Sequence, residues 1–133
     1  MNLEKYNLLI VDDEPKVLEL LERVLKSGRY NIFTSLCGKK ALELIEQSPE
    51  MAVVVSNYHM GVMNGADFFK ELKIQSPKTI RIMMTAGLAE DKLHEMKDGE
   101  LIHTFSLKPI ILENFIVQVN HAIEMYIENK NSD

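Results

Sequence analysis

The chain has 133 residues, 46% of them hydrophobic and 26% charged, which suits one globular domain burying roughly two-thirds of its unfolded surface. A formal net charge of −5 gives no general attraction to nucleic acid or to an anionic membrane, so no DNA-binding module is expected within these residues. The lone cysteine, Cys37, excludes an internal disulfide and a cysteine-based zinc site, and no apolar run is long enough to span a bilayer.

Tyr6–Val11 (YNLLIV) reads as a short apolar strand that stops at Asp12-Asp13-Glu14-Pro15. Lys5 and Asp12 interrupt any likeness to a signal peptide, so the expected location is cytoplasmic. Pro15 suits the first turn of a helix, where its missing N–H costs nothing, and the acids ahead of it favour the positive helix end. Val17, Leu18, Leu21, Val24 and Leu25 recur at helical spacing, and Ser27-Gly28 closes that helix, with Gly28 expected as a left-handed cap.

Tyr30–Ser35 (YNIFTS) mixes polar and apolar residues, like a strand with one exposed flank. Ala41, Leu42 and Ile45 mark a second helix, ending before Ser48-Pro49. Residues 51–55 (MAVVV) are continuously apolar and rich in β-branched side chains, the pattern of a strand buried on both faces. That strand ends in Ser56-Asn57, and a loop with two methionines and two glycines follows it.

Ala66, Phe69 and Leu72 mark a third helix, and residues 79–85 (TIRIMMT) a fourth strand. A weaker helix over 88–97 leads to a mixed fifth strand over 101–107, then to Lys108-Pro109. Leu112, Phe115, Ile116, Val119, Ile123, Tyr126 and Ile127 trace a long amphipathic helix. One domain over 1–128 and a polar tail or start of a linker over 129–133 are expected.

Five strands alternating with five helices predict an α/β fold, a parallel sheet covered on both faces. Strands one, three and four are the apolar ones, so two and five belong at the edges. That polarity agrees with the order 2-1-3-4-5 of flavodoxin-like doubly wound (βα)5 sheets. Parallel strands deliver their carboxyl ends to one side, where ligands bind in such sheets. Asp12 and Asp13, Asn57, Thr85 and Lys108 therefore face one crevice. Two carboxylates with backbone and water oxygens suit a hard cation such as Mg2+. A hydroxyl and an ammonium beside them suit phosphoryl oxygens.

LLIVDDEP at 8–15, MNG at 63–65, MMTAG at 83–87 and FSLKP at 105–109, in this order and spacing, resemble the receiver domain of bacterial two-component response regulators. The resemblance implies that Asp12 and Asp13 bind Mg2+ with the backbone carbonyl of His59. It implies that Thr85 and Lys108 contact a phosphoryl group and that Phe105 changes rotamer on activation. A cis Lys108-Pro109 bond is implied as well. Gly99-Glu100 ahead of the fifth strand is similar to receivers attached to HD-GYP or related cyclic-dinucleotide outputs. The partners implied are a sensor histidine kinase or phosphotransfer protein, and an output domain, partner protein or second copy on the surface of helix 4, strand 5 and helix 5.

Asn57 departs from that pattern, because the family attacks a phosphodonor with an aspartate there. An amide oxygen is neutral and a poor nucleophile, so no aspartyl phosphate is expected. Losing that anion also weakens the hold on Mg2+, and Lys108 is left to pair with Asp12 or Asp13. Gly61 stands where the family commonly has proline. Either this is a receiver that signals without phosphorylation, or an acceptor aspartate has been replaced to lock the unphosphorylated state; Gly61 touches no phosphotransfer chemistry and favours the first. A flavodoxin-like enzyme is the remote alternative: an FMN carrier would need a Ser/Thr/Gly-rich phosphate loop where this chain has DDEP. His59, His94, His103 and His121 lack metal-like spacing and are expected at surface or edge positions. Met60, Met63, Met83 and Met84 are expected as packing.

Overall fold

The computed structural model describes residues 4–26 and 28–132. Strands and helices alternate as β1 (Tyr6–Val11), α1 (Pro15–Leu25), β2 (Tyr30–Ser35), α2 (Gly38–Gln47) and β3 (Val53–Asn57). They continue as α3 (Gly65–Gln75), β4 (Ile80–Thr85), α4 (Glu90–Asp98), β5 (Thr104–Leu107) and α5 (Leu112–Asn131). Every strand pair is parallel and the order is β2-β1-β3-β4-β5. The three apolar strands are the inner ones, as their composition predicts.

Because strand side chains alternate in direction, the sheet builds two cores. Leu8, Ile10, Val53, Val55, Ile82 and Met84 meet Leu18, Leu21 and Leu25 of α1 and Phe115, Val119 and Ile123 of α5. Leu9, Val11, Val54 and Met83 meet Ala41 and Ile45 of α2, Phe68, Phe69 and Leu72 of α3, and Leu93 of α4. Each large apolar side chain buried in this way stabilises the fold by about 1.5–3 kcal/mol before entropy is counted.

Several element ends differ from expectation, each for a physical reason. The fifth strand begins at Thr104 instead of residue 101. Its earlier residues leave the ladder because buried Arg81 of β4 takes the carbonyls of Glu100 and Leu101 through its Nη2 and Nε, at 3.1 and 2.8 Å. Glu100 adopts φ 62° in that turn. The residues expected as a polar tail from 129 instead continue α5 to Asn131. Asn129 donates to the Lys78 carbonyl, Lys78 Nζ to the Ser132 carbonyl, and Lys130 pairs with Glu50 at 3.2 Å. The cap expected at Ser27-Gly28 involves Ser27, which lies outside the described residues.

Candidate functional site at the carboxyl edge of the sheet

The ladder registers align Val11 with Ser56, Asn57 with Met84, and Thr85 with Leu107. The ends of four strands are thereby level, and the residues just past or at them are Asp12, Asn57, Thr85 and Lys108. Asp12 and Thr85 have no exposed surface and Asn57 is 6% exposed. Polar groups buried to this degree must find partners, and each has one.

Asp12 engages both oxygens. Oδ1 accepts the Glu14 backbone N–H at 2.9 Å, which shapes the turn into α1, and Oδ2 pairs with Lys108 Nζ at 2.9 Å. Lys108 reaches it from beyond β5, on the far side of β3 and β4. The Lys108-Pro109 peptide bond is cis. Thr85 Oγ1 accepts the N–H groups of Gly87 and Leu88 at 3.3 and 3.2 Å, so the hydroxyl organises the turn leading to α4.

Asn57 donates its Nδ2–H to the backbone carbonyl of His59, at 2.7 Å. The loop carrying that carbonyl is tied down at both ends: Tyr58 N–H donates to Met84 O at 2.9 Å, and Gly65 N–H donates to Tyr58 O at 2.7 Å. Asn64 caps α3 by accepting the Asp67 N–H at 2.8 Å. A side chain at Gly65 would meet the Asn57 carbonyl at 2.6 Å, so the close return of the loop requires glycine. Gly61 sits at φ 80°, a left-handed conformation that proline, fixed near −65°, does not adopt. The glycine at this position therefore goes with a loop path that a proline would forbid.

Ligand oxygens of Asp12, Asp13 and Glu14 lie within 4.8 Å of one another. Asp13 and Glu14 are exposed. A divalent cation at this cluster would have to compete for oxygens already engaged, since both Asp12 oxygens and the His59 carbonyl carry hydrogen bonds. Mg2+ demands near-octahedral oxygen ligation, and the neutral Asn57 amide, its N–H turned to the His59 carbonyl, leaves the cluster one anionic oxygen donor poorer than a carboxylate at residue 57 would. The residues as arranged therefore suit the ion poorly. Glu14 was not singled out as a site residue from the sequence, although the unbroken DDE run was a visible signal.

Phe105 is half-buried on the α4 side of β5, its ring edge-on to His94 at 5.2 Å. Its carbonyl accepts Gln118 Nε2 at 3.0 Å, and the same Gln118 also bonds Thr104 and Ser106. No sequence pattern pointed to Gln118. His59, His94 and His121 are exposed as expected, but His103 is half-buried and accepts the Arg81 backbone N–H on Nδ1 at 2.9 Å. Burial, with the Arg81 and Lys73 charges, lowers His103 to a pKa of about 4. Arg81 was overlooked as well, although one arginine in an otherwise apolar strand signals a charge that must find internal partners. Met60, Met83 and Met84 are buried and Met63 half-buried, all in packing roles.

Known proteins place this geometry. The response regulator receiver domain matches residues 8–120. The chain belongs to that family. Among curated relatives, this receiver is 28% identical to the transcriptional regulatory protein GlrR of Escherichia coli over 119 residues, 89% of this chain and 26% of that protein. It is 30% identical to the sensor kinase CckA of Brucella abortus over 118 residues, 88% of this chain and 12% of that protein. The chain thus spans about a quarter or less of these relatives. In structure it is similar to a protein described as adenylate cyclase from Rhodopirellula baltica, with TM-score 0.89, 23% identity, and 96% and 95% of the two chains covered. The signal receiver domain of an HD domain-containing protein from Pseudomonas fluorescens superposes with TM-score 0.85, 22% identity, and 94% and 99% covered. Both likenesses carry the flavodoxin-like receiver fold. The receiver is a module of two-component signalling, and no helix among the described residues is long and apolar enough to cross a membrane.

Proposed function

We propose that this receiver signals by binding, without forming an aspartyl phosphate. The observation that carries this reading is Asn57 at the acceptor position, its amide turned to the His59 carbonyl and offering no nucleophilic oxygen. Asp12, Thr85 and Lys108 stand at the same sheet edge as the remains of a phosphoryl site: Asp12 and Lys108 pair with each other, and Thr85 is taken up by the Gly87 and Leu88 N–H groups.

The binding surface in this reading is the face of α4, β5 and α5. A groove of about 1020 Å3 runs along β5 and α5, and Leu107, Ile111 and Val117 on it are 44%, 64% and 67% exposed. An output domain, a partner protein or a second copy would cover it, with a histidine kinase or phosphotransfer protein as the partner only of a form that keeps an aspartate. Incubation with a small-molecule phosphodonor, followed by intact-protein mass spectrometry, tests the reading. No adduct is expected for this chain, whereas Asn57→Asp gains one in the presence of Mg2+. A stable phosphoryl group on the unaltered chain refutes the proposal.

A further inference from the structure

We propose that the Asn57 carboxamide stands in for the divalent cation, holding the loop after β3 to the sheet by a hydrogen bond and making the site independent of metal. The inference rests on the reading of Asn57 as a receiver's acceptor position. A carboxylate beside a carbonyl oxygen places two electron-rich groups together, and only a cation or a proton between them makes that contact attractive. A carboxamide resolves the contact by itself, because its N–H faces the carbonyl. The distance of 2.7 Å from Nδ2 to the His59 oxygen is at the short end for an N–H···O bond, and Asn57 is buried where water competes little.

Three further observations agree with this. Lys108 supplies the positive charge that Asp12 needs, at 2.9 Å, so the deepest carboxylate is neutralised from within the chain. Glu14 N–H donates to the other Asp12 oxygen at 2.9 Å. Gly61 at φ 80°, two residues past the His59 carbonyl, gives the same loop a conformation closed to proline.

Thermal unfolding in chelator and in millimolar Mg2+, paired with ¹H–¹⁵N spectra of the side-chain amides, tests the proposal. The unaltered chain should melt at the same temperature in both, with the Asn57 carboxamide protons slow to exchange and unmoved by Mg2+. Asn57→Asp should melt lower in chelator than the unaltered chain and gain roughly 5 °C or more with Mg2+. A saturable Mg2+ shift of the unaltered chain's melting temperature or Asn57 resonances overturns the proposal. So does an Asn57→Asp protein that is as indifferent to Mg2+ as the unaltered chain. Should Asn57→Asp fail to fold, the spectra of the unaltered chain decide alone. A chain that binds Mg2+ yet takes no phosphoryl group sinks this inference and leaves the functional reading standing; a phosphoryl adduct does the reverse.

Discussion

At the scale of single residues, the site is held by contacts that leave little room. Gly65 opens α3 with its Cα against the Asn57 carbonyl, and a methyl group there would also meet Met83 Sδ at 2.9 Å. The obstructing atom is backbone, so it yields only if β3 or the loop moves. Gly65→Ala is expected to destabilise the protein by about 1–3 kcal/mol in chemical denaturation. Lys108→Ala would leave the fully buried Asp12 carboxylate with only the Glu14 N–H. A loss of about 2 kcal/mol is expected, since hydrogen bonds to charged groups carry that much. Gly65 touches the Asn57 backbone, so combining Gly65→Ala with Asn57→Asp should give non-additive losses. The site residues themselves were legible in the sequence because parallel strands bring Asp12, Asn57, Thr85 and Lys108 to one edge. The partner each side chain takes was not, because Asp12 is 96 positions from Lys108 and nothing local decides between it and Asp13.

At the scale of elements, the turn between α4 and β5 shows tertiary contacts overriding strand pattern. The sequence predicts a strand from residue 101, yet pairing begins at Thr104. Arg81, 3% exposed, needs acceptors, and it takes the carbonyls of Thr79, Glu100 and Leu101. The His103 imidazole then satisfies the Arg81 backbone N–H in place of a ladder carbonyl. That role requires an unprotonated Nδ1, consistent with a pKa lowered from 6.5 to about 4 by burial and by Arg81 and Lys73. In the unfolded chain His103 takes up its proton near its ordinary value, while the folded protein refuses it until about 4. The stability from this contact is therefore complete above the ordinary histidine value and is lost as pH falls through the window down to about 4. His103→Gln should flatten that segment of the stability–pH curve measured by denaturant titration.

At the scale of the whole molecule, α5 is fastened to the amino-terminal edge of the sheet, opposite the site. Tyr126 Oη donates to Glu50 at 2.6 Å, Lys130 pairs with the same carboxylate, and Tyr6 packs edge-on to Tyr126 at 6.3 Å. Burial pulls Glu50 upward, but the Tyr126 hydroxyl, Lys130 and Lys78 outweigh it and lower its pKa. Burial first, then the Glu50 carboxylate, raises Tyr126. Tyr126→Phe removes the hydroxyl and keeps the ring, so a loss of about 1 kcal/mol is expected. Faster hydrogen exchange should be confined to the last turns of α5, while protection of β1, β3 and β4 stays intact. Spread of the effect to the central strands would refute the picture of a local clamp.

The sequence by itself determined the fold and the sheet edge at which the candidate site residues gather. Continuous apolar runs in three strands and mixed ones in two require an inner trio and two edges, and parallel connection sends every carboxyl end to one side. It also determined that residue 57 is an amide without a nucleophilic oxygen, the feature on which the proposed function rests. Only the tertiary structure decided which way that amide turns, which acid Lys108 pairs with, where β5 begins and where α5 ends. Those outcomes depend on groups far apart in the chain competing for the same hydrogen bonds, and no local pattern of hydrophobicity or charge records the winner.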